Sequence, residues 1–158
     1  MNHVLFSSNS CEWETPLELF KKLNNEFCFT LDPCASPENA KCIKYYTKEH
    51  NGLNQNWSHQ RVYCNPPYGR EIGKWVKKCH DESKLNNAIC VMLIPARTDT
   101  AWFHDYIYNK AEIRFLRGRL KFSNHKNNAP FPSMIVIFKP SQYWDFSPKN
   151  NNKKSTKL

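Results

Sequence analysis

Residues 88–94, Ala-Ile-Cys-Val-Met-Leu-Ile, form an unbroken apolar run that Pro95 stops. A strand half exposed to water alternates apolar and polar side chains, so a run without polar interruptions is a strand buried on both faces. Such a strand needs helices on either side of its sheet, and the chain supplies them. Thr15-Pro16-Leu17-Glu18 reads as a helix start: threonine caps, proline fits the first helical position and Glu18 completes a capping box. Leu17, Phe20 and Leu23 carry an apolar stripe from there to about Asn25. Ile72, Trp75, Val76 and Cys79 recur at helical spacing and predict a helix from Glu71 to about Ser83. Trp102, Phe103, Tyr106 and Ile107 predict another, capped by Thr98 or Asp99.

Further strands are expected at residues 27–31, ended by Asp32-Pro33, and at 43–47, 61–64 and 134–138. Two more, 113–116 and 119–122, are expected near a bend at Gly118, and 123–130 reads as a polar loop carrying His125 and Lys126. Strands and helices alternate through the middle and strands cluster at the end. That order predicts a mainly parallel α/β sheet with an antiparallel hairpin added late. No internal repeat or linker divides the chain, so residues 1–145 are expected to be one domain. Residues 146–158 are expected to be a disordered basic tail holding Lys149, Lys153, Lys154 and Lys157.

The tetrapeptide Asn65-Pro66-Pro67-Tyr68 follows the short strand at 61–64 and precedes Gly69 and a helix. Strand-loop-helix junctions are where α/β enzymes build their sites. The residues suit a flat, amino-bearing group. Asn65 offers an amide oxygen, Pro66 a carbonyl on a backbone stiffened by two rings, and Tyr68 an aromatic face for stacking. The lone pair of an exocyclic amine is delocalised into its ring. Two acceptors gripping its hydrogens draw the nitrogen toward a tetrahedral shape and localise that pair, which readies it to attack an activated methyl group. The plain alternative is a polyproline ligand or a turn, and the position between a strand and a helix favours the catalytic reading.

A net charge of +9 suits a polyanionic partner, nucleic acid ahead of membrane. The seven cysteines include no Cys-x-x-Cys pair, so neither a zinc site nor a disulfide framework is expected, and no metal is called for by the scattered histidines. Residues 1–10 lack a signal-peptide pattern and no apolar segment is long enough to span a bilayer, which together predict a reduced, cytoplasmic setting without membrane contact.

Six stretches, in order from residue 12 to about 138, resemble the phage-encoded Dam-type DNA N6-adenine methyltransferase family. They are Glu12-Trp13-Glu14-Thr15-Pro16, Leu31-Asp32-Pro33-Cys34-Ala35-Ser36, Asn65-Pro66-Pro67-Tyr68, Pro95-Ala96-Arg97-Thr98-Asp99-Thr100, Gly118-Arg119-Leu120-Lys121-Phe122 and Ala129-Pro130-Phe131-Pro132-Ser133. The resemblance implies a Rossmann-like, S-adenosylmethionine-dependent methyltransferase fold acting on the exocyclic amine of adenine in DNA. A base inside a duplex is out of reach, so it must flip out of the stack.

On this resemblance Asn65, Pro66, Pro67 and Tyr68 are the catalytic set, Asn65 also counting among the cofactor contacts. Tyr68 stacks on one face of the base and Phe122 or Phe131 covers the other, core packing being the plain alternative for both phenylalanines. Asp32, with Pro33 in the same turn, pairs with the ammonium of the cofactor's methionine part. Ala35 is small enough to let the cofactor approach, and Thr15 and Pro16 form a second cofactor segment as well as a helix start. Asn51 stands where the family tends to have an acid near the cofactor's adenine, and an asparagine there still accepts from an amino group. The ribose acid is left open between Glu38 and Glu49. The glycine-rich loop of many methyltransferases is missing after the first strand. Arg97 holds a DNA phosphate or the cofactor carboxylate, or pairs structurally with Asp99 or Asp105. Arg117, Arg119, Lys121 and Lys126 are expected to make a phosphate-gripping rim, a solvated surface loop being the plain alternative for any one of them. With no room for a large target-recognition domain, loose or short-sequence specificity or a homodimer is expected, in the cytoplasm of a bacterial host. Two rivals stand beside this reading: a methyltransferase acting on RNA adenine or protein glutamine, and a non-catalytic DNA-binding module.

Overall fold

The structure, a computed structural model, describes residues 12–141. The expectations for residues 1–10 and for the tail at 146–158 lie outside these. The first helix, α1 (Leu17–Phe27), buries Phe20, Leu23 and Phe27. It runs two residues past the expected end because Phe27 completes the apolar stripe. Cys28 then closes it in the left-handed region at φ 51°, its N–H donating to the Asn24 carbonyl. The strand expected at 27–31 is reduced accordingly to β1 (Leu31–Asp32), and the one at 43–47 to β2 (Lys44–Tyr45). The capping box is not made: Pro16 is the N-cap residue and no side chain caps the helix. The Thr15 hydroxyl is turned inward, toward Tyr63 and Asn65.

β3 (Arg61–Cys64), α2 (Ile72–Asn86) and β4 (Ile89–Pro95) follow. α2 buries Ile72, Trp75, Val76 and Cys79, the stripe predicted from spacing, and also Glu82. The Glu82 carboxylate is tolerated inside because it is fully engaged. It pairs with Lys78 at 2.6 Å and accepts from the Trp57 N–H at 3.3 Å and from Asn86 at 3.0 Å. The next expected helix is a widened turn, Phe103–Ile107, closed by an i to i+5 bond from the Tyr108 N–H to the Phe103 carbonyl at 2.8 Å. Thr100, rather than Thr98 or Asp99, takes the Phe103 N–H at 3.3 Å.

β5 (Glu112–Phe115) and β6 (Ser133–Phe138) complete a six-stranded sheet in the order β2-β1-β3-β4-β6-β5. β2, β1, β3 and β4 run parallel, and β6 is antiparallel to both β4 and β5. The sheet is Rossmann-like and mainly parallel with its antiparallel strand late in the chain. The strand expected at 119–122 does not form. Both edges of β6 are already taken, and Gly118, at φ 75°, turns the chain away so that Phe122 drops into the interior. β4 and β6 are buried nearly throughout, as their unbroken apolar composition requires.

Candidate active site

Three parallel strands deliver their carboxyl ends to one edge of the sheet: β1 at Asp32, β3 at Cys64 and β4 at Pro95. The chain leaves β1 for β2 on one side and then returns to β3 on the other, so the strand order reverses between β1 and β3. A crevice at that reversal is the expected ligand position in an open α/β sheet. A cavity of about 540 Å³ lies there, within the size range of small-molecule sites. Its lining includes Thr15, Asp32, Pro33, Ala35, Asn51, Asn65, Pro66 and Pro67. Of the two acids left open for the ribose, Glu49 lines the cavity and Glu38 does not. Pro16 is set back from it at the head of α1.

Asn65 leaves β3 directly into the cavity wall. Its side-chain nitrogen donates to the Trp13 carbonyl, and to the Thr15 hydroxyl at 3.2 Å. Its Oδ1 is buried and has no partner among the described residues. An unpaired buried acceptor costs roughly 1–3 kcal/mol, so this oxygen is available to any donor that enters. The next carbonyl, on Pro66, likewise accepts no hydrogen bond from the described residues. Two acceptors on neighbouring residues of the cavity lining are therefore without a donor among the described residues.

Tyr68 does not line this cavity. It is 7 % exposed, its hydroxyl donates to the Leu93 carbonyl at 3.0 Å, and burial holds its phenol well above the usual pKa. Its ring belongs to an adjoining aromatic cluster. Trp13 lies within 19° of parallel to it at 6.5 Å, while Phe122 and Phe131 meet both rings edge-on. Phe122 is fully buried, so it packs as core as well as flanking Tyr68; Phe131 is half-buried. His125 stacks on Trp13 with ring centroids 3.8 Å apart and planes 8° apart.

Asp32 is 5 % exposed and accepts the Lys41 N–H at 3.0 Å. Burial pushes its carboxyl up to about 6, opposed by the Lys41 and Cys34 backbone bonds and the Lys41 charge. Asn51 is exposed at the mouth, in the left-handed region at φ 50°, and heads the short turn Gly52–Asn54.

Residues 12–15 are sewn to the loop at 123–130. The Glu14 N–H donates to Asn124 Oδ1 at 2.8 Å, Asn124 Nδ2 to the Glu12 carbonyl at 3.1 Å, and the Ser123 N–H to the Glu14 carbonyl at 2.9 Å. Lys41 reaches Glu14 at 3.5 Å from the far side. The start of this loop thus builds the site wall. Arg97, Arg119, Lys121 and Lys126 are exposed and outside the cavity, and none is ion-paired with a described residue. Arg97 makes no pair with Asp99 or Asp105.

A profile of the family described as DNA N-6-adenine-methyltransferase (Dam) matches residues 5–157, almost the whole chain. The chain belongs to this family. Among curated relatives, it is 39 % identical over 110 residues to the "DNA N-6-adenine-methyltransferase" of Escherichia phage T1, covering 68 % of this chain and 45 % of the phage protein. The matched part is thus less than half of that relative. It is also 39 % identical over 64 residues to the "Putative methyltransferase YfdM" of Escherichia coli (strain K12), covering 36 % of this chain and 70 % of that one.

Several residues of this candidate site have no role that the sequence alone assigns: Trp13, Tyr63, Asn124 and Lys41. Only Tyr63 had a signal of its own. A phenol inside a buried strand needs a hydrogen-bond partner, and that requirement points to a polar site nearby.

Proposed function

We propose that this chain is a DNA adenine-N6 methyltransferase that uses S-adenosylmethionine. The observation that carries the reading is the buried, unpaired Asn65 Oδ1 beside the free Pro66 carbonyl. An exocyclic amine brings two hydrogens to two acceptors, and satisfying them relieves the cost of the empty site while localising the nitrogen lone pair.

The cavity suits S-adenosylmethionine in size, and Asp32 offers a carboxylate whose burial an incoming ammonium would offset. Thr15, Pro33, Ala35 and Asn51 would hold the remainder, with Glu49 favoured over Glu38 for the ribose by its place in the lining. The cofactor supplies an electrophilic methyl group when bound. This chain's part is to hold the amine, strip water from it and fix its orientation. Tyr68 is a wall of the base site, supported by Phe122 and Phe131. Its ring must exchange a neighbour to take a flipped base, since Trp13 now lies over it. The exposed Arg97, Arg119, Lys121 and Lys126 are assigned to DNA phosphates. Among the described residues no helix is long and apolar enough to cross a membrane. A homodimer and a bacterial-host cytoplasm are carried as parts of this proposal, the first decided by sedimentation with and without DNA.

The test is transfer of labelled methyl from S-adenosylmethionine to DNA by wild type and Asn65→Ala, with product nucleosides resolved. N6-methyladenine from wild type, reduced at least a hundredfold in the variant, is expected for loss of a group acting on the reacting nitrogen. Labelling of RNA or of protein glutamine instead of DNA would overturn the substrate assignment.

A further inference from the structure

The amide of Asn65 has two orientations, and only one presents an acceptor to the reacting amine. Tyr63, a residue outside the Asn65–Tyr68 motif, has a part in that choice beside the Trp13 carbonyl. We propose that Tyr63, acting through Thr15, is a positioning residue that locks the Asn65 amide with its oxygen toward the substrate. This rests on the adenine methyltransferase reading above.

The Trp13 carbonyl can only accept, so the Asn65 atom facing it is the nitrogen. A flipped amide would set Oδ1 against that carbonyl, so Trp13 already favours the orientation that leaves Oδ1 free. Thr15 Oγ1 is a second partner of the same nitrogen, at 3.2 Å. A hydroxyl donates or accepts as its hydrogen turns, so by itself it would serve a flipped amide equally well.

Tyr63 fixes which role the Thr15 hydroxyl takes, and so adds a second lock to the amide. Its hydroxyl is buried and its one side-chain partner among the described residues is Thr15 Oγ1. Burial also keeps that phenol protonated, so it always has a hydrogen to give. Donation to Thr15 satisfies it. Thr15 Oγ1 then receives hydrogens from both Tyr63 and Asn65, which occupies its two lone pairs, and its own hydrogen is left for a ligand in the cavity it lines. A threonine oxygen so engaged favours an N–H from Asn65 and repels Oδ1. The Trp13 carbonyl and the Tyr63–Thr15 pair therefore agree on one amide orientation. Tyr63 is fixed in turn by β3 and by edge-on packing with Phe20 at 5.1 Å.

The test compares Tyr63→Phe, Thr15→Val and Thr15→Ser with wild type. Three quantities are read: the single-turnover methylation rate at saturating cofactor and DNA, the cofactor Kd by calorimetry, and hydrogen exchange of the Asn65 side-chain amide by nitrogen-15 NMR. Loss of one orienting hydrogen bond predicts about a tenfold slower single turnover for Tyr63→Phe, with cofactor Kd within about twofold of wild type. The Asn65 amide protons should exchange faster in Tyr63→Phe and Thr15→Val, and Thr15→Ser should restore both rate and protection. Wild-type rate and protection in Tyr63→Phe overturn the proposal, as does a Thr15→Ser protein as impaired as Thr15→Val. Should Tyr63→Phe fail to fold, the Thr15 pair decides alone. If wild type transfers no methyl to DNA adenine, the proposed activity fails, and the amide exchange rates still decide the positioning role.

Discussion

Asp32 and Asn65 are both polar groups left short of what burial normally demands, and each shortfall matches one end of the proposed reaction. Asn65 lacks a donor and Asp32 lacks a full counter-charge, so each gains when a ligand arrives. For Asp32 this gives a pH dependence of definite sign. Its folded-state pKa is raised from 3.8 to about 6, chiefly by burial, so between those values the folded protein holds a proton that the unfolded chain has released. The stabilising contribution is present below about 4 and is lost as pH rises through about 6. The free protein should therefore lose thermal stability across that window, and Asp32→Asn should flatten the loss. Cofactor binding should run the other way. An ammonium favours the carboxylate, so Kd should weaken as pH falls below about 6, approaching tenfold per pH unit, which calorimetry at several pH values would read. A flat Kd from pH 5 to 7 would remove Asp32 from the ammonium site.

The elements around the cavity are short, and their fit depends on close backbone approach more than on long hydrogen-bonded ladders. The turn Gly52–Asn54 illustrates this. A methyl group added at Gly52 would sit 2.0 Å from the Pro33 carbonyl oxygen, far inside contact distance, and that oxygen is backbone. The Gly52 carbonyl also accepts from the Trp57 indole at 3.0 Å, so the turn is tied on its other side and has little room to retreat. Gly52→Ala should cost about 1–3 kcal/mol, read as a lower Tm, and should weaken cofactor binding by moving Asp32-Pro33. Unchanged melting would mean that the turn shifts freely. This kind of constraint is also what the sequence conceals. The buried strands β4 and β6, and helix α2, were legible because apolar runs and helical spacing are one-dimensional patterns, and Asn65–Tyr68 because its residues are contiguous. The inward turn of Thr15 was not legible. A cap and an interior hydrogen bond compete for the same hydroxyl, and only the approach of β3, bringing Tyr63 and Asn65 from some fifty residues away, decides between them. Likewise the pattern at 119–122 is that of a strand, but β6 is already paired on both edges, and Gly118 turns the chain away from the sheet.

At the scale of the whole molecule, the candidate cavity's own lysines, Lys41 and Lys48, are paired with Glu14 and Glu12. The cavity sits at the strand-order reversal, while Arg97, Arg119, Lys121 and Lys126 stand outside it, exposed and unpaired with described residues. An exposed cation held by nothing else contributes little to folding, and on the proposed function these four are assigned to a polyanion lying across the surface. The two functions should then separate on mutation. Each phosphate neutralised by a cation releases condensed counterions, and binding weakens with salt at a logarithmic slope of about −0.9 per contact on duplex DNA. Replacing Arg119, Lys121 and Lys126 together by alanine should weaken DNA binding and make that slope shallower by about 2–3, with melting temperature unchanged. Cofactor affinity should stay as in wild type, because none of the three lines the cavity. Fluorescence anisotropy of labelled duplex DNA from 50 to about 200 mM salt gives the slope directly. A triple variant with the wild-type slope would show that these cations do not grip phosphate.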